Sequence, residues 1–276
     1  MWDLGWEDKA LEIWKMAERH ELFFKHHSFF YGMAGEGMMS LYLFLRTKKQ
    51  KYIDTAVNLG NMLLNSTKEN GDGKIYWNDE ENIYLGLGYG QSGVVLFLLR
   101  LYQLTDTEKY LLGGRKALEF DLVNSKEIEK GKVRSFASSI GDITFEQYLE
   151  SGAAGVIKTL LRYRINKGIE KFIRDIHRKY SIFCGLFYGL SSFLDVFVDA
   201  FLYLKDVKYL EMAKRLLSGI KELYLLNTQK GLATPGDGLF RISCDYATGS
   251  AGVMRTFYRY SKLEKGDFTL DEIDSI

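Results

Sequence analysis

Tyr89-Gly90-Gln91-Ser92-Gly93-Val94-Val95-Leu96-Phe97-Leu98-Leu99 packs a hydroxyl residue, two glycines three apart and an unbroken apolar run into one short stretch. Its opening recurs as Tyr31-Gly32-Met33-Ala34-Gly35, Ser151-Gly152-Ala153-Ala154-Gly155, Tyr188-Gly189-Leu190-Ser191-Ser192 and Thr248-Gly249-Ser250-Ala251-Gly252. In the four copies beginning at Tyr31, Tyr89, Ser151 and Tyr188, the residue twenty positions after the first glycine is aromatic: Tyr52, Tyr110, Phe172 and Tyr209. Self-similarity on this scale marks a repeat architecture, in which one unit stacks on the next.

The segment after each glycine start reads as helix. A lone proline, Pro235, leaves long helices uninterrupted. From Phe193 to Leu204 only Asp195, Asp199 and Tyr203 carry polar atoms, and a helix apolar on every side is buried on every side. Downstream, Val207, Leu210, Ala213, Leu217, Ile220 and Tyr224 recur at spacings of three and four with charged residues between them, the pattern of a one-faced surface helix. Alternating buried and half-exposed helices predict an all-α toroid of hairpins, inner helices lining the centre and outer ones shielding them. The segment Glu7 to His20 reads as an outer helix without its inner partner, so the chain is expected to begin within a repeat.

Composition bounds the rest. The chain has 276 residues, is 46% hydrophobic and carries a net charge of +1, which suits a large core and leaves no nucleic-acid footprint. The longest purely apolar run, Val94 to Leu99, is far short of the roughly 20 residues a membrane span needs, and no signal peptide opens the chain. A cytoplasmic location is expected. Residues 67 to 88, 126 to 147 and 227 to 247 lead into glycine starts and are rich in turn residues, so they are expected at the mouth of the ring, where binding groups concentrate.

The glycine-started hairpins resemble the lanthionine synthetase cyclase family, and the resemblance covers almost the whole chain. Pro235-Gly236-Asp237-Gly238-Leu239-Phe240-Arg241-Ile242-Ser243-Cys244-Asp245-Tyr246-Ala247-Thr248-Gly249-Ser250-Ala251-Gly252-Val253 resembles the end of the cyclase domain of class III synthetases, and Gly185-Leu186-Phe187-Tyr188-Gly189-Leu190-Ser191 a second class III element. The resemblance implies a toroid of seven hairpins. About five are counted here, so residues 1–276 are expected to form one N-terminally truncated cyclase domain. The implied partners are a dehydrated precursor peptide and the lyase and kinase domains of the same synthetase. The implied reaction is Michael-type addition of a cysteine thiol to dehydroalanine or dehydrobutyrine, giving lanthionine or labionin rings.

Zinc-dependent relatives carry their ligands at positions held here by Glu150-Ser151 and Phe187-Tyr188. Neither pair supplies a thiolate or an imidazole, so no metal and no cofactor is expected. A free thiol is only a few per cent ionised at pH 7, and a general base must then supply a step worth about 10²–10⁴ in rate. Candidate catalytic residues are Tyr89 and Tyr188 as proton donors to the enolate, His27 as thiol base, and Asp245 with Arg241 as base and clamp, unless these two merely form an ion pair. Tyr31, Gly90, Glu150, Ser151, Gly189, Thr248 and Gly249 are expected to line the substrate, with open helix N-termini stabilising the enolate. A rival metal set of His27, Cys184 and Cys244, each five residues before a glycine start, is also possible by ligand type. Two further readings stand beside the cyclase: a non-catalytic peptide-binding toroid, and a glycosidase using paired carboxylates such as Glu150 and Asp245.

Overall fold

In the computed structural model, residues 5–18, 20–79 and 81–268 are described. Helices α1 (Glu7–Ala17) and α2 (Leu22–Lys25) precede four antiparallel hairpins: α3 (Met33–Thr47) with α4 (Gln50–Asn65), α5 (Gln91–Thr105) with α6 (Glu108–Asn124), α7 (Ala153–Arg162) with α8 (Ile169–Ile176), and α9 (Leu190–Leu204) with α10 (Val207–Leu223). Helix α11 (Ser250–Glu264) follows. Each glycine start opens an inner helix, and neighbouring inner helices pack in chain order, α3 on α5, α5 on α7, α7 on α9 and α9 on α11. The fold is the expected all-α toroid.

The twenty-residue offset has a mechanical cause. Inner helices α3, α5 and α9 end in left-handed residues, Lys48, Asp106 and Lys205 (φ 56°, 52° and 59°), whose amides bond back into the last turn. This closes the helix and reverses the chain within two residues. The repeated aromatic then falls in the first turn of the outer helix and points inward. Tyr52, Tyr110, Phe172 and Tyr209 are all buried. Two of them stitch one outer helix to the preceding one: Tyr110 donates to Asn61 at 2.9 Å, and Tyr209 donates to Glu170. Trp14 of α1 buries against Leu43 and Tyr52, so α1 lies against the first hairpin as an outer element.

The turn-rich connections are not plain loops. Between α4 and α5 run β1 (Lys68–Glu69) and β2 (Ile75–Tyr76); between α6 and α7, β3 (Lys126–Glu129), β4 (Val133–Ala137) and β5 (Phe145–Glu146); between α10 and α11, β6 (Leu226–Thr228), β7 (Gly231–Pro235) and β8 (Ile242–Ser243). All pair antiparallel in chain order. The connection from α8 to α9 contains no such hairpin among the described residues.

The interior of α9 is not merely apolar. Asp195 and Asp199, both fully buried, are shared among four cations from the flanking inner helices. Lys158 bonds to both, at 2.7 Å to Asp199, Arg162 reaches Asp199 at 2.7 Å, Arg259 grips both with 2.6 Å to Asp199, and Arg255 reaches Asp195 at 3.1 Å. Lys158, Asp195 and Arg255 lie six residues after the first glycine of their repeats, and Arg162, Asp199 and Arg259 ten. The network is therefore two stacked layers of equivalent positions, about two and three turns deeper than the mouth.

Candidate functional site

The glycine starts are built by the chain folding onto itself. A Cβ on Gly32 would lie 2.5 Å from the His26 carbonyl oxygen, on Gly152 2.0 Å from that of Glu146, and on Gly249 2.5 Å from that of Ser243. The second glycine is pinned likewise, Gly35 against the Phe29 carbonyl, Gly93 against that of Leu87 and Gly252 against that of Tyr246. The backbone that approaches these glycines is their own incoming loop. This corrects the expectation that Gly90, Gly189 and Gly249 line a substrate: all three are buried against that loop.

The same loops occupy helix N-termini. The amides of Met33, Ala34 and Gly35 donate to the carbonyls of His26, His27 and Ser28, and those of Leu190 and Ser191 to Phe183 and Cys184. First-turn donors that would bind an anion are spent there, so an open ring of helix ends does not form at α3 or α9.

Instead the loops are tied to one another. The amide of Phe30 donates to the carbonyl of Gly88 (3.1 Å), Gly88 to Glu150 (2.8 Å), Glu150 to Phe187 (3.1 Å) and Phe187 to Ala247 (2.9 Å). Each residue stands two before the first glycine of its repeat. This belt fixes the next residues, Tyr31, Tyr89, Ser151, Tyr188 and Thr248, at one level around the mouth.

Four of the expected residues come together there. Tyr31 lies with its ring 5.5 Å from that of Tyr89, Phe30 stacks on Phe187 at 5.0 Å beneath them, and Tyr148 sits 4.3 Å from Tyr188. Burial, then a hydrogen bond to the Glu150 carboxylate and its charge, push the Tyr89 phenol well above its ordinary value. The Tyr188 phenol is raised by burial and by Glu146, Tyr148 and Glu150, and Tyr31 by burial, Asp79, Tyr84 and Glu150. These phenols stay protonated and serve as hydrogen-bond donors. Glu146, which accepts from Tyr188, is itself raised by burial and by the charges of Asp142 and Glu150.

On the Tyr31 side stands an imidazole–carboxylate pair. Asp79 lies 3.2 Å from Nδ1 of His26 and 3.4 Å from Nδ1 of His27. Burial opposes its charge, but hydrogen bonds and attraction from the two histidines hold its carboxyl below the ordinary value. His26 is part-exposed and meets Tyr31 edge-on at 5.4 Å. His27 is buried, stacked on Trp77, which corrects its expected role as the base that touches substrate. A carboxylate on Nδ1 orients a histidine and leaves Nε2 free, and of the two imidazoles His26 is the part-exposed one.

Asp245 and Arg241 are also corrected. No ion pair joins them among the described residues. Asp245 accepts from the Thr248 amide (2.6 Å), the Thr248 hydroxyl (2.9 Å) and Ser243 (2.5 Å). Against the effect of burial, these bonds lower its carboxyl to about 2. It shapes the loop into α11 and is a poor base, which also removes the Glu150–Asp245 carboxylate pair. Thr248 spends its hydroxyl in that loop and accepts from the Asp237 amide at 3.2 Å, while Ser151 is part-buried at the rim.

The residues do not fit zinc. Glu150, Ser151, Phe187 and Tyr188 supply no thiolate or imidazole, and among the described residues no group of three His, Cys, Asp or Glu side chains converges. The rival set does not assemble: His27 faces Asp79, Cys184 is buried with its thiol 3.6 Å from the Pro235 carbonyl, and Cys244 is exposed.

Sequence reasoning missed Asp79 and Glu146 and passed over His26 for its neighbour. Asp79 lies 53 residues from His26, and nothing local announces that pairing. Glu146 did carry a signal, four residues before Glu150 in a loop that feeds the mouth.

The fold is shared with solved structures of diverse activity. A family 105 glycoside hydrolase from C. acetobutylicum matches with a TM-score of 0.57 and 13% identity over 82% of this chain and 78% of that one. Cellobiose 2-epimerase from Bacillus thermoamylovorans matches at 0.56 and 17% over 86% and 71%, and nisin cyclase at 0.55 and 15% over 94% and 70%. At such identities the likeness shows the fold alone. No curated protein matches in sequence. The family model described as "Lanthionine synthetase C-like protein" matches residues 3–163, more than half of the chain. The chain thus belongs to the lanthionine synthetase C-like family.

Proposed function

We propose that this chain is a lanthipeptide cyclase of the class III type, acting in the cytoplasm on a dehydrated precursor peptide delivered by lyase and kinase domains. The observation that carries the reading is the cluster at the mouth, where an Asp79–His26 pair and the phenols of Tyr31 and Tyr89 face one another across adjacent repeats. His26 takes the proton of the peptide thiol, and Asp79 stabilises the imidazolium that forms. The thiolate sulfur adds to the β-carbon of dehydroalanine or dehydrobutyrine, and the double-bond electrons move onto the carbonyl as an enolate. Tyr31 and Tyr89 hydrogen-bond the enolate oxygen, supplying the stabilisation that occupied helix ends do not. Tyr188, paired with Glu146, gives a proton to the α-carbon; His26 then releases the thiol proton to water and water reprotonates Tyr188, so no proton is gained or lost over the cycle. No step needs a metal.

The test is a synthetic peptide carrying dehydroalanine and cysteine, incubated with the chain in chelator and read by loss of cysteine alkylation in mass spectrometry. Faster thiol loss than in an enzyme-free control is expected. No acceleration would sink the reading and leave a peptide-binding toroid.

A further inference from the structure

The outer wall carries a charged groove that the mouth chemistry does not use. It holds about 700 Å³ between the residues that follow α8 and residues 211–222 of α10. Arg178, Lys179, Lys214 and Arg215 line it against Glu211 and Glu222, with Met212 and Leu216 at its apolar floor. All four cations are exposed. Arg178 lies 3.6 Å from Asp175, and no ion pair joins Lys179, Lys214 or Arg215 to any described residue. With Asp175 counted, four cations stand beside three carboxylates.

Its position gives the excess a direction. At their N-terminal ends α8 and α10 are clamped by Glu170, which accepts from Tyr209 and, at 2.9 Å, from Lys208. The groove lies at the other end, where α8 feeds residues 177–189 into the mouth. The α8-to-α9 connection contains no β-hairpin among the described residues, so no hairpin of that kind roofs the groove. Along it Tyr180 and Ile182 are 75% and 69% exposed. Between them Ser181 is held by Tyr148 at 2.7 Å and by Tyr224, and Tyr148 touches Tyr188. A continuous path runs from basic groove to exposed apolar step to mouth.

We infer that this groove docks a segment of the substrate peptide, outside the ring being closed, in which acidic and apolar side chains alternate. The inference rests on the cyclase reading for the identity of the peptide. Carboxylates suit the four cations, and apolar side chains suit Met212, Leu216, Tyr180 and Ile182. Glu211 and Glu222 would repel the unbroken phosphate row of a nucleic acid, so a peptide of spaced charge is favoured. Such docking steers and registers the substrate rather than supplying catalysis.

The probe is a short fluorescent peptide of alternating Glu and Leu, titrated with the full chain by anisotropy at low salt. Arg178→Glu, Lys214→Glu and Arg215→Glu together should weaken binding about tenfold or more, whereas Lys109→Glu, Arg115→Glu and Lys116→Glu on α6 should change it less than about twofold. Appending the acidic segment to a dehydroalanine–cysteine peptide should lower KM about tenfold and leave kcat unchanged in the wild type, and change neither KM nor kcat in the groove variant. Absence of binding by the wild type, equal losses in the two variants, or tighter binding of an oligonucleotide through the same residues would each overturn the inference. Groove-dependent binding with no cyclisation of any peptide would sustain the docking surface while removing the cyclase reading.

Discussion

The mouth and the deeper layers of the ring are both polar, and they are made in opposite ways. At the mouth, phenols, carboxylates and an imidazole are part-exposed, and the Tyr31 and Tyr188 phenols and the Glu146 carboxyl are raised by burial and neighbouring negative charge. Deeper in, every polar group of Asp195 and Asp199 is buried and met by cations from α7 and α11. Polar groups at the mouth stay part-solvated and make few hydrogen bonds, as groups that meet a substrate under the proposed function would. Those of the deeper layers are locked to one another, at a desolvation cost that only complete pairing offsets. The buried layers set the relative rotation of α7, α9 and α11, and that rotation aims the mouth residues seven and eleven positions upstream.

The sharpest way to break this contrast is Asp199→Ala. It leaves Lys158, Arg162 and Arg259 without their shared carboxylate, and a loss of about 3–5 kcal/mol is expected in chemical denaturation. A loss below about 1 kcal/mol would show that water reaches the network and that the two regions are not distinct. At the mouth the expected outcome is inverted. Tyr89→Phe and His26→Ala should each slow cyclisation about 10²–10³-fold while stability stays within about 1 kcal/mol, and added imidazole should restore part of the His26→Ala rate. Failure of that rescue would make His26 a loop residue rather than a base.

A third, smaller test separates burial from pairing. Asp121 is as buried as Asp199, but its partner is the Ser92 hydroxyl at 2.6 Å and no cation. Burial pushes its carboxyl up to about 8, the Ser92 bond opposing, whereas cations hold Asp199 well below the ordinary value despite burial. Folding therefore favours the protonated form of Asp121. Its contribution is complete at pH below the unfolded carboxyl value and is lost as pH rises toward about 8, by about 1.4 kcal/mol per pH unit. Asp121→Asn should flatten this slope and be the more stable protein at pH 8, as read from melting temperatures across pH. A slope unchanged by the substitution would assign the pH dependence elsewhere.

How much of this was legible depends on how local the cause is. The left-handed turns at Lys48, Asp106 and Lys205 place the repeated aromatic twenty residues after each glycine, so the hairpins could be read from spacing. The glycine pairs were legible as positions and misread as substrate contacts, because the carbonyl each one meets belongs to a loop whose path spacing does not reveal. The buried network had a sequence signal that went unused: Lys158/Arg162, Asp195/Asp199 and Arg255/Arg259 share one register in three consecutive repeats. In isolation Asp195 and Asp199 look like blemishes on an apolar helix. In register they are the middle of a charge ladder.

By itself the sequence determined the repeat, the inner and outer helices, the level at which Tyr31, Tyr89, Ser151, Tyr188 and Thr248 stand, and the lack of a thiolate or imidazole at the relatives' zinc positions. Those features come from helix periodicity and from the glycine-start register, which act over a turn or a repeat. Only the tertiary structure decided that His26 rather than His27 faces the mouth, that Asp79 orients it, that Asp245 is consumed by its own loop, and that α8 and α10 leave a basic groove. Each of these depends on which side of a loop faces water and on partners brought together by the packing of neighbouring repeats, and hydrogen-bond geometry between distant segments carries no period that a linear pattern can show.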